Sequence, residues 1–312
     1  MRNYLLAIIR KILGVDNLTL YKKKKLRTFQ KLIYRKKYTA DDIVCKMQEL
    51  GIKRGSIVFV HSSMTQFYNY QGTVEELIFK IIEIIGSDGT LLMPAYPKEP
   101  YKLIEEAKND SNKIIFDVNS TPTGAGYMTE VFRKIPGVKR SINVQHSVCA
   151  IGKDADFFLS EHHLSNTAWD EKSPYYKLCK SKAMIFKFGL PNFIETPLHC
   201  TESLLCNKYQ YFSLFFQGVV SYKYIDHNNN IGVHTMKHCT IQRKPNNRRI
   251  RRNYIEPQQI IKATKLSNLL IEMSYASDIL DSFLDLAENG ITIFDAPDPK
   301  PYIKNGKFIE CS

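Results

Sequence analysis

No apolar run in this chain of 312 residues approaches the roughly 20 needed to cross a bilayer, so no membrane-spanning helix is expected. No CxxC pair occurs among the seven cysteines, at 45, 149, 179, 200, 206, 239 and 311, which removes zinc knuckles and thioredoxin-like sites from consideration. Arg2 ahead of the apolar residues 4–9 starts like a signal peptide, but Arg10 and Lys11 cut the run short. Reduced thiols in a cytoplasmic protein are therefore expected. Glycine (15) and proline (13) are sparse, no internal repeat is apparent, and tryptophan occurs once. With 44% hydrophobic and 24% charged residues, disorder and collagen-like structure are excluded. What the chain has is bulk: 18 Tyr and 17 Phe, enough for a large core.

The net charge of +13 is unevenly spread. Residues 1–38 hold 12 Lys/Arg against one acid, Asp16, which leaves only +2 for residues 39–312. Within the latter, residues 237–252 carry seven bases and no acid, so the rest of the body is slightly acidic. A nucleic-acid enzyme would carry its charge along the folded body, and no nucleic-acid partner is expected. Leu5, Ile8, Ile9 and Ile12 fall at i, i+3, i+4 and i+7, with Gly14 as a stop, and Lys22 to Lys25 and Arg35 to Lys37 follow. A basic amphipathic helix with polybasic clusters suits the anionic inner face of a membrane. A helix packed on the body or on a partner subunit, trailed by a solvated charge run, is the alternative.

From Tyr38 onward the pattern is that of an α/β protein. Thr39 with Asp41 and Asp42 reads as a helix start, leading through Ile43 and Met47 to Gly51. Ile57 to Val60 is a continuous apolar run, which suits a strand buried on both faces. Thr73 with Glu76 three positions on is a capping-box signature, and that helix should stop at Gly86. Strands are predicted at 89–94, 147–151 and 183–189, and a short helix at 129–134. Residues 212–224 and 231–242 read as a hairpin around Asp226 that carries the second basic patch. Helix is expected within 260–286 and an irregular tail after Asp295. The reading is an arm, 1–38, followed by one domain, 39–312.

Three segments crowd polar groups beside strand ends. Val60-His-Ser-Ser63 follows a buried strand, and Gly72-Thr73 opens a helix, so backbone N–H groups there suit a phosphate or a carbonyl. Ordinary turn and cap chemistry explains the same residues. Asn119 to Gly124, rich in hydroxyls, is followed downstream by Gln145-His-Ser147. The third segment runs from Glu195 to Glu202. There His199 and Glu202 share a helical face at i, i+3, as a general base and its carboxylate would, although such pairs also occur on plain surfaces. His162, His163, His234 and His238 lack a clustered acid or thiol, so no metal is expected.

Together these segments resemble the aminoglycoside 3-N-acetyltransferase family. The resemblance runs through Gly51-Ile-Lys-Arg-Gly-Ser-Ile-Val-Phe-Val-His-Ser-Ser63, Gly86-Ser-Asp-Gly-Thr-Leu-Leu-Met-Pro94, Phe116-Asp117, Ser120-Thr-Pro-Thr123, Pro136-Gly-Val-Lys-Arg-Ser141, His146-Ser147, Ser173-Pro174 and Leu198-His-x-x-Glu202. It covers about residues 39–290, with the arm and the stretch 237–252 outside the usual pattern. It implies a three-layer αβα sandwich around a mixed, mostly parallel sheet, joined here by an antiparallel hairpin and a basic N-terminal helical arm. It also implies transfer of acetyl from acetyl-CoA to an amine without a metal. Val60, His61, Ser62, Ser63, Gly72 and Thr73 would then hold the pantetheine and phosphates, with Ser120, Thr121 and Thr123 beside them.

The chemistry expected is direct attack in a ternary complex. His199 is the base, with Glu202 or Glu195 fixing its tautomer, and His146 orients the acceptor or assists as acid. Ser62, Ser63 or nearby N–H groups would hydrogen-bond the thioester oxygen. A covalent route through Cys200 is the competing mechanism. A cationic stretch on a near-neutral body favours an anionic acceptor, an amino sugar on a nucleotide or lipid diphosphate in bacterial surface-polysaccharide assembly. The alternatives are an aminoglycoside acetyltransferase conferring resistance, and a membrane- or nucleic-acid-binding module without activity.

Overall fold

The computed structural model describes residues 10, 14, 17–192 and 196–311. The apolar stripe expected at residues 5–12, and Glu195, lie outside the described residues. In chain order the strands are β1 (Ile57–Ser62), β2 (Thr90–Pro94), β3 (Ile114–Asp117), β4 (Lys139–Arg140), β5 (Val148–Gly152), β6 (Met184–Phe188), β7 (Gly218–Ile225), β8 (Ile231–His238), β9 (Lys244–Pro245), β10 (Lys262–Leu266), β11 (Leu269–Tyr275), β12 (Phe294–Ala296), β13 (Ile303–Lys304) and β14 (Lys307–Phe308).

Seven strands form one mixed sheet in the order β10-β11-β6-β1-β2-β5-β4. Only the pairs β6–β1 and β1–β2 are parallel; the other four are antiparallel, which corrects the expectation of a mostly parallel sheet. For the edge pair β10–β11 the reason is connection length. Parallel neighbours need a crossover of a dozen or more residues, whereas β10 and β11 are joined by two residues, Ser267 and Asn268, with Ser267 at φ +54°. Residues 262–275, expected to contain helix, therefore form an edge hairpin, and the helix begins afterwards at Ala276–Glu288.

The sheet is buried on both sides, and its side chains alternate accordingly. Val58, Val60, Leu91, Met93, Phe186, Phe188 and Ile271 face one core together with residues of the helices Ala40–Glu49, Val74–Ile85 and Tyr127–Arg133. Phe59, Leu92, Ala150 and Ile185 face the other, with residues of the helices Pro174–Lys180 and Ala276–Glu288. Each large side chain fully removed from water contributes about 1.5–3 kcal/mol. Both predicted helix starts are present. Thr39 and Thr73 accept from the N–H groups of Asp42 and Glu76, whose carboxylates return to the threonine N–H groups.

A second sheet, β3-β7-β8, carries the predicted hairpin, with Asp226 Oδ1 accepting from the N–H groups of Asn228 and Asn230 at 2.8 Å each. The hairpin begins later than expected, because Gln210–Ser213 and Leu214–Phe216 are helical turns whose aromatics fill the core. Nor does it carry the second basic patch. Of the seven bases only Lys237 lies on β8; the others fall on the loop, β9 and the turns beyond it. The tail is partly regular: β13 and β14 pair, and Phe308 stacks on Tyr211 with ring centroids 5.0 Å apart.

Candidate active site

β1 ends at a cleft. His61 and Ser62, its last two residues, line an open cavity of about 320 Å³ with Tyr96, His146, Leu198 and His199. Pro245, Asn247 and Ile293 border the same cavity.

His199 closes a 3₁₀ turn, Thr196–His199, immediately before the helix Cys200–Leu205, so Glu202 stands one turn further along. The Nδ1 of His199 lies 2.6 Å from Glu202 Oε1, and the carboxylate is almost completely buried. An ionised carboxylate only accepts, so Nδ1 carries the hydrogen and the neutral ring keeps its lone pair on Nε2. The other carboxylate oxygen faces Arg243, whose Nη1 is 3.4 Å away and whose Nη2 donates to Tyr101 Oη at 2.9 Å. The guanidinium also lies 5.7 Å from the centroid of Trp169. The indole in turn tilts against His199 at 4.9 Å and His146 at 4.3 Å between centroids. Two imidazoles, one indole and one guanidinium thus form a continuous stack beside the cavity.

His146 is held by the turn 143–147, in which the Asn143 side chain accepts from its N–H at 2.9 Å. Burial first, and then the neighbouring His199 and Arg243, hold the imidazole well below its ordinary range, so it is neutral. Its Nδ1 is buried without a hydrogen-bond partner among the described residues. His61 is likewise neutral, pushed down to about 3 by burial and by Lys187.

The remaining expected residues separate into two groups. Thr123 supports the cleft without lining it: its hydroxyl donates to the carbonyl of Tyr96 at 2.9 Å and accepts from the N–H of Ala125, a lining residue, at 3.0 Å. Ser120 and Thr121 tie the same loop, Ser120 Oγ donating to Asp117 at 2.6 Å and Thr121 Oγ1 accepting from the Asp117 N–H at 2.9 Å. The others do not reach the cavity. Val60 points into the opposite core. The Ser63 N–H is taken by the Phe188 carbonyl at 2.9 Å, and its hydroxyl by Thr65 at 3.0 Å. Gly72 and Thr73 do not line it, and the Thr73 hydroxyl caps its own helix, whose first turn already holds Glu75 and Glu76. Cys200 is fully buried, its thiol pushed up by burial and by Cys179, which removes the support for a covalent route through it.

Sequence reasoning missed Tyr96, Trp169 and Arg243. Arg243 was counted only as charge in the stretch 237–252, yet Arg243, Arg249 and Arg251 pair with Glu202, Asp295 and Glu272. The single tryptophan was the available signal for Trp169.

A model of the aminoglycoside 3-N-acetyltransferase family matches residues 59–279. The chain belongs to that family. Among curated relatives, an SPbeta prophage-derived aminoglycoside N(3')-acetyltransferase-like protein, YokD, of Bacillus subtilis (strain 168) is 29% identical over 181 residues. That segment is 53% of this chain and 64% of the relative's length. Two solved structures share the aminoglycoside 3-N-acetyltransferase fold. Sisomicin-bound AAC-VIa has a TM-score of 0.66 at 19% identity, covering 80% of this chain and 97% of its own. The binary complex of AAC-IIIb with CoASH has a TM-score of 0.66 at 18% identity, covering 85% and 100%.

Proposed function

We propose that this protein transfers acetyl from acetyl-CoA to an amine of an aminoglycoside-type amino sugar. The observation that carries the reading is the buried Glu202 carboxylate 2.6 Å from His199 Nδ1, at the edge of a cleft that Ser62 also lines. Family membership and a structural neighbour solved with CoASH support the donor, and a neighbour solved with sisomicin supports the acceptor class. The partnerless Nδ1 of His146 is a polar atom of the kind a bound substrate would satisfy.

Acetyl-CoA supplies an acyl group already activated as a thioester, so the chain need not form a covalent intermediate. His199 Nε2 takes the proton from the acceptor amine as nitrogen bonds to the acyl carbon. The carbon–sulfur bond then breaks with its electron pair on sulfur, and the imidazolium gives its proton to the CoA thiolate, which leaves as thiol. Glu202 holds the ring and stabilises the imidazolium that results. The Ser62 hydroxyl donates to the acyl oxygen as negative charge develops there, worth about 3 kcal/mol if it acts as a full oxyanion donor. His146, kept neutral, orients the acceptor and is not the acid.

The nucleotide- or lipid-linked acceptor expected from the cationic stretch is not favoured by the relatives, which are aminoglycoside acetyltransferases. Within that stretch Arg243, Arg249 and Arg251 are paired with carboxylates. Thiol release from acetyl-CoA with sisomicin as acceptor tests the proposal. Release that falls about 10²–10⁴-fold in His199→Ala is expected. No release with sisomicin, but release with a nucleotide-linked amino sugar, overturns the acceptor; release unaffected by His199→Ala overturns the site.

A further inference from the structure

Among the described residues, one long helix contributes none to either core. Leu18–Ile33 carries six Lys/Arg and no acid in its sixteen residues. Leu26, Phe29, Leu32 and Ile33 are 57%, 59%, 63% and 59% exposed, among the most exposed large apolar side chains of the described residues. Leu26, Phe29 and Ile33 stand at i, i+3 and i+7, so they share one face, and Leu32 widens it. The helix meets the body by another side. Lys31 Nζ lies 5.7 Å from the centroid of the Tyr68 ring, and just past the helix the Tyr34 carbonyl accepts from Asn69 Nδ2 at 2.7 Å. Those two contacts dock the C-terminal end of the helix against residues 68–69 and leave the apolar stripe facing solvent, flanked by lysines.

We propose that this helix is a docking surface for an anionic lipid bilayer, lying in the headgroup plane with Leu26, Phe29, Leu32 and Ile33 inserted. Charge selects this occupant. A second copy of the chain would bring six more bases of the same sign against these six. A nucleic acid would neutralise the bases but has no use for four exposed aliphatic and aromatic side chains. Acidic headgroups over acyl chains satisfy both halves of the helix at once. The long lysine side chains bordering the stripe can reach the headgroup level while their stems remain among the acyl carbons. This inference is independent of the catalytic reading, since none of the four residues lines the cleft.

The test is sedimentation of the full chain with phosphatidylglycerol–phosphatidylcholine vesicles and with phosphatidylcholine vesicles. Binding to the first and not the second, weakening as salt is raised, is expected. The double variant Leu26→Ala/Phe29→Ala keeps every charge and the helix propensity. It should bind the anionic vesicles about tenfold or more weakly while melting at the wild-type temperature. Lys25→Gln, on the side of the stripe, should weaken binding about fivefold. Absence of binding to anionic vesicles at low salt overturns the proposal. So does equal binding by the apolar double variant with competition by duplex RNA, which would mark a nucleic-acid arm. A dimer that dissociates on Phe29→Ala would assign the stripe to a second copy and overturn it as well.

Discussion

The two faces of the seven-stranded sheet are built from different materials, one residue apart along every strand. Toward the helices Ala40–Glu49 and Val74–Ile85 the central strands present mainly apolar groups, Val58, Val60, Met93, Phe186, Phe188 and Met273 among them. Toward the other side it interleaves Phe59 and Ile185 with His61, Lys187, Glu272 and Ser274, all buried. These polar residues sit in register: His61 pairs with Lys187 and Lys187 with Glu272 across three adjacent strands. The cleft opens on the polar side, at His61. A sheet of alternating side chains can thus keep one face as inert filling and give the other to chemistry. The second face then depends on matched charges, whereas the first depends on volume alone.

The largest effect should come from unmatching those charges. Glu272 faces Lys187 Nζ at 3.0 Å and pairs with Arg251. Although burial opposes its ionisation, those two cations hold its carboxyl below the usual range. Glu272→Ala should cost about 3–5 kcal/mol in urea melts, the cost of stranding buried charge. Leu77→Ala, in the apolar core, should cost a comparable 2–5 kcal/mol or so by cavity formation, with the same value at pH 7 and pH 5. If Leu77→Ala instead changes turnover tenfold at a temperature where it remains folded, the division of labour between the faces is wrong.

Next comes Arg243, which touches both Glu202 and Trp169. Arg243→Met should lower kcat about tenfold, with the KM for acetyl-CoA little changed, because the lost hydrogen bond steadies the base and not the donor. Arg243→Lys should recover part of the loss; equal loss in both variants would assign the residue to packing.

A pH effect separates the faces again. His61 and His162 are both pushed down from 6.5 to about 3, chiefly by burial, and both belong to the polar side. Unfolded chains bind protons on these imidazoles as pH drops below about 6.5, whereas the folded chain resists until about 3. Their contribution to stability is therefore complete above pH 6.5 and drains away below it, by up to about 1.4 kcal/mol per pH unit for each histidine. His162→Asn should flatten the acid limb of a stability–pH curve by up to one proton; an unchanged slope would refute the linkage.

The smallest expected effect lies at Glu130, on the helix Tyr127–Arg133, which braces the loop at Thr123. Bonds from Arg133, opposed by partial burial and aided by the Thr123 N–H, lower Glu130 from 4.5 to about 2. Glu130→Gln should cost about 1 kcal/mol at neutral pH. That difference should shrink as pH falls below 4.5 toward about 2, where wild type loses the same charge; melts at pH 7 and pH 3 check it.

Much of the fold was legible because its signals are local. Thr39 and Thr73 announce helix starts within four residues, and Ile57 to Val60 announces a strand buried on both faces. The His199–Glu202 pair was readable for the same reason, being one helical turn apart. What escaped depends on distant partners. Residues 269–275 become a strand by pairing with β6, about eighty positions earlier, and residues 262–266 then pair with them. Arg243 looks like one more base in a cationic run until Glu202, forty-one positions earlier, is brought against it.

The lone indole of the chain, Trp169, rests between the imidazoles of His146 and His199 and the guanidinium that steadies the base. Ultraviolet emission excited at the red edge of the absorption band thus originates from a single known place. Occupancy of the cavity, protonation of its rings or displacement of Arg243 each alters quenching of that one fluorophore, so titrations can be followed on the unlabelled polypeptide in real time.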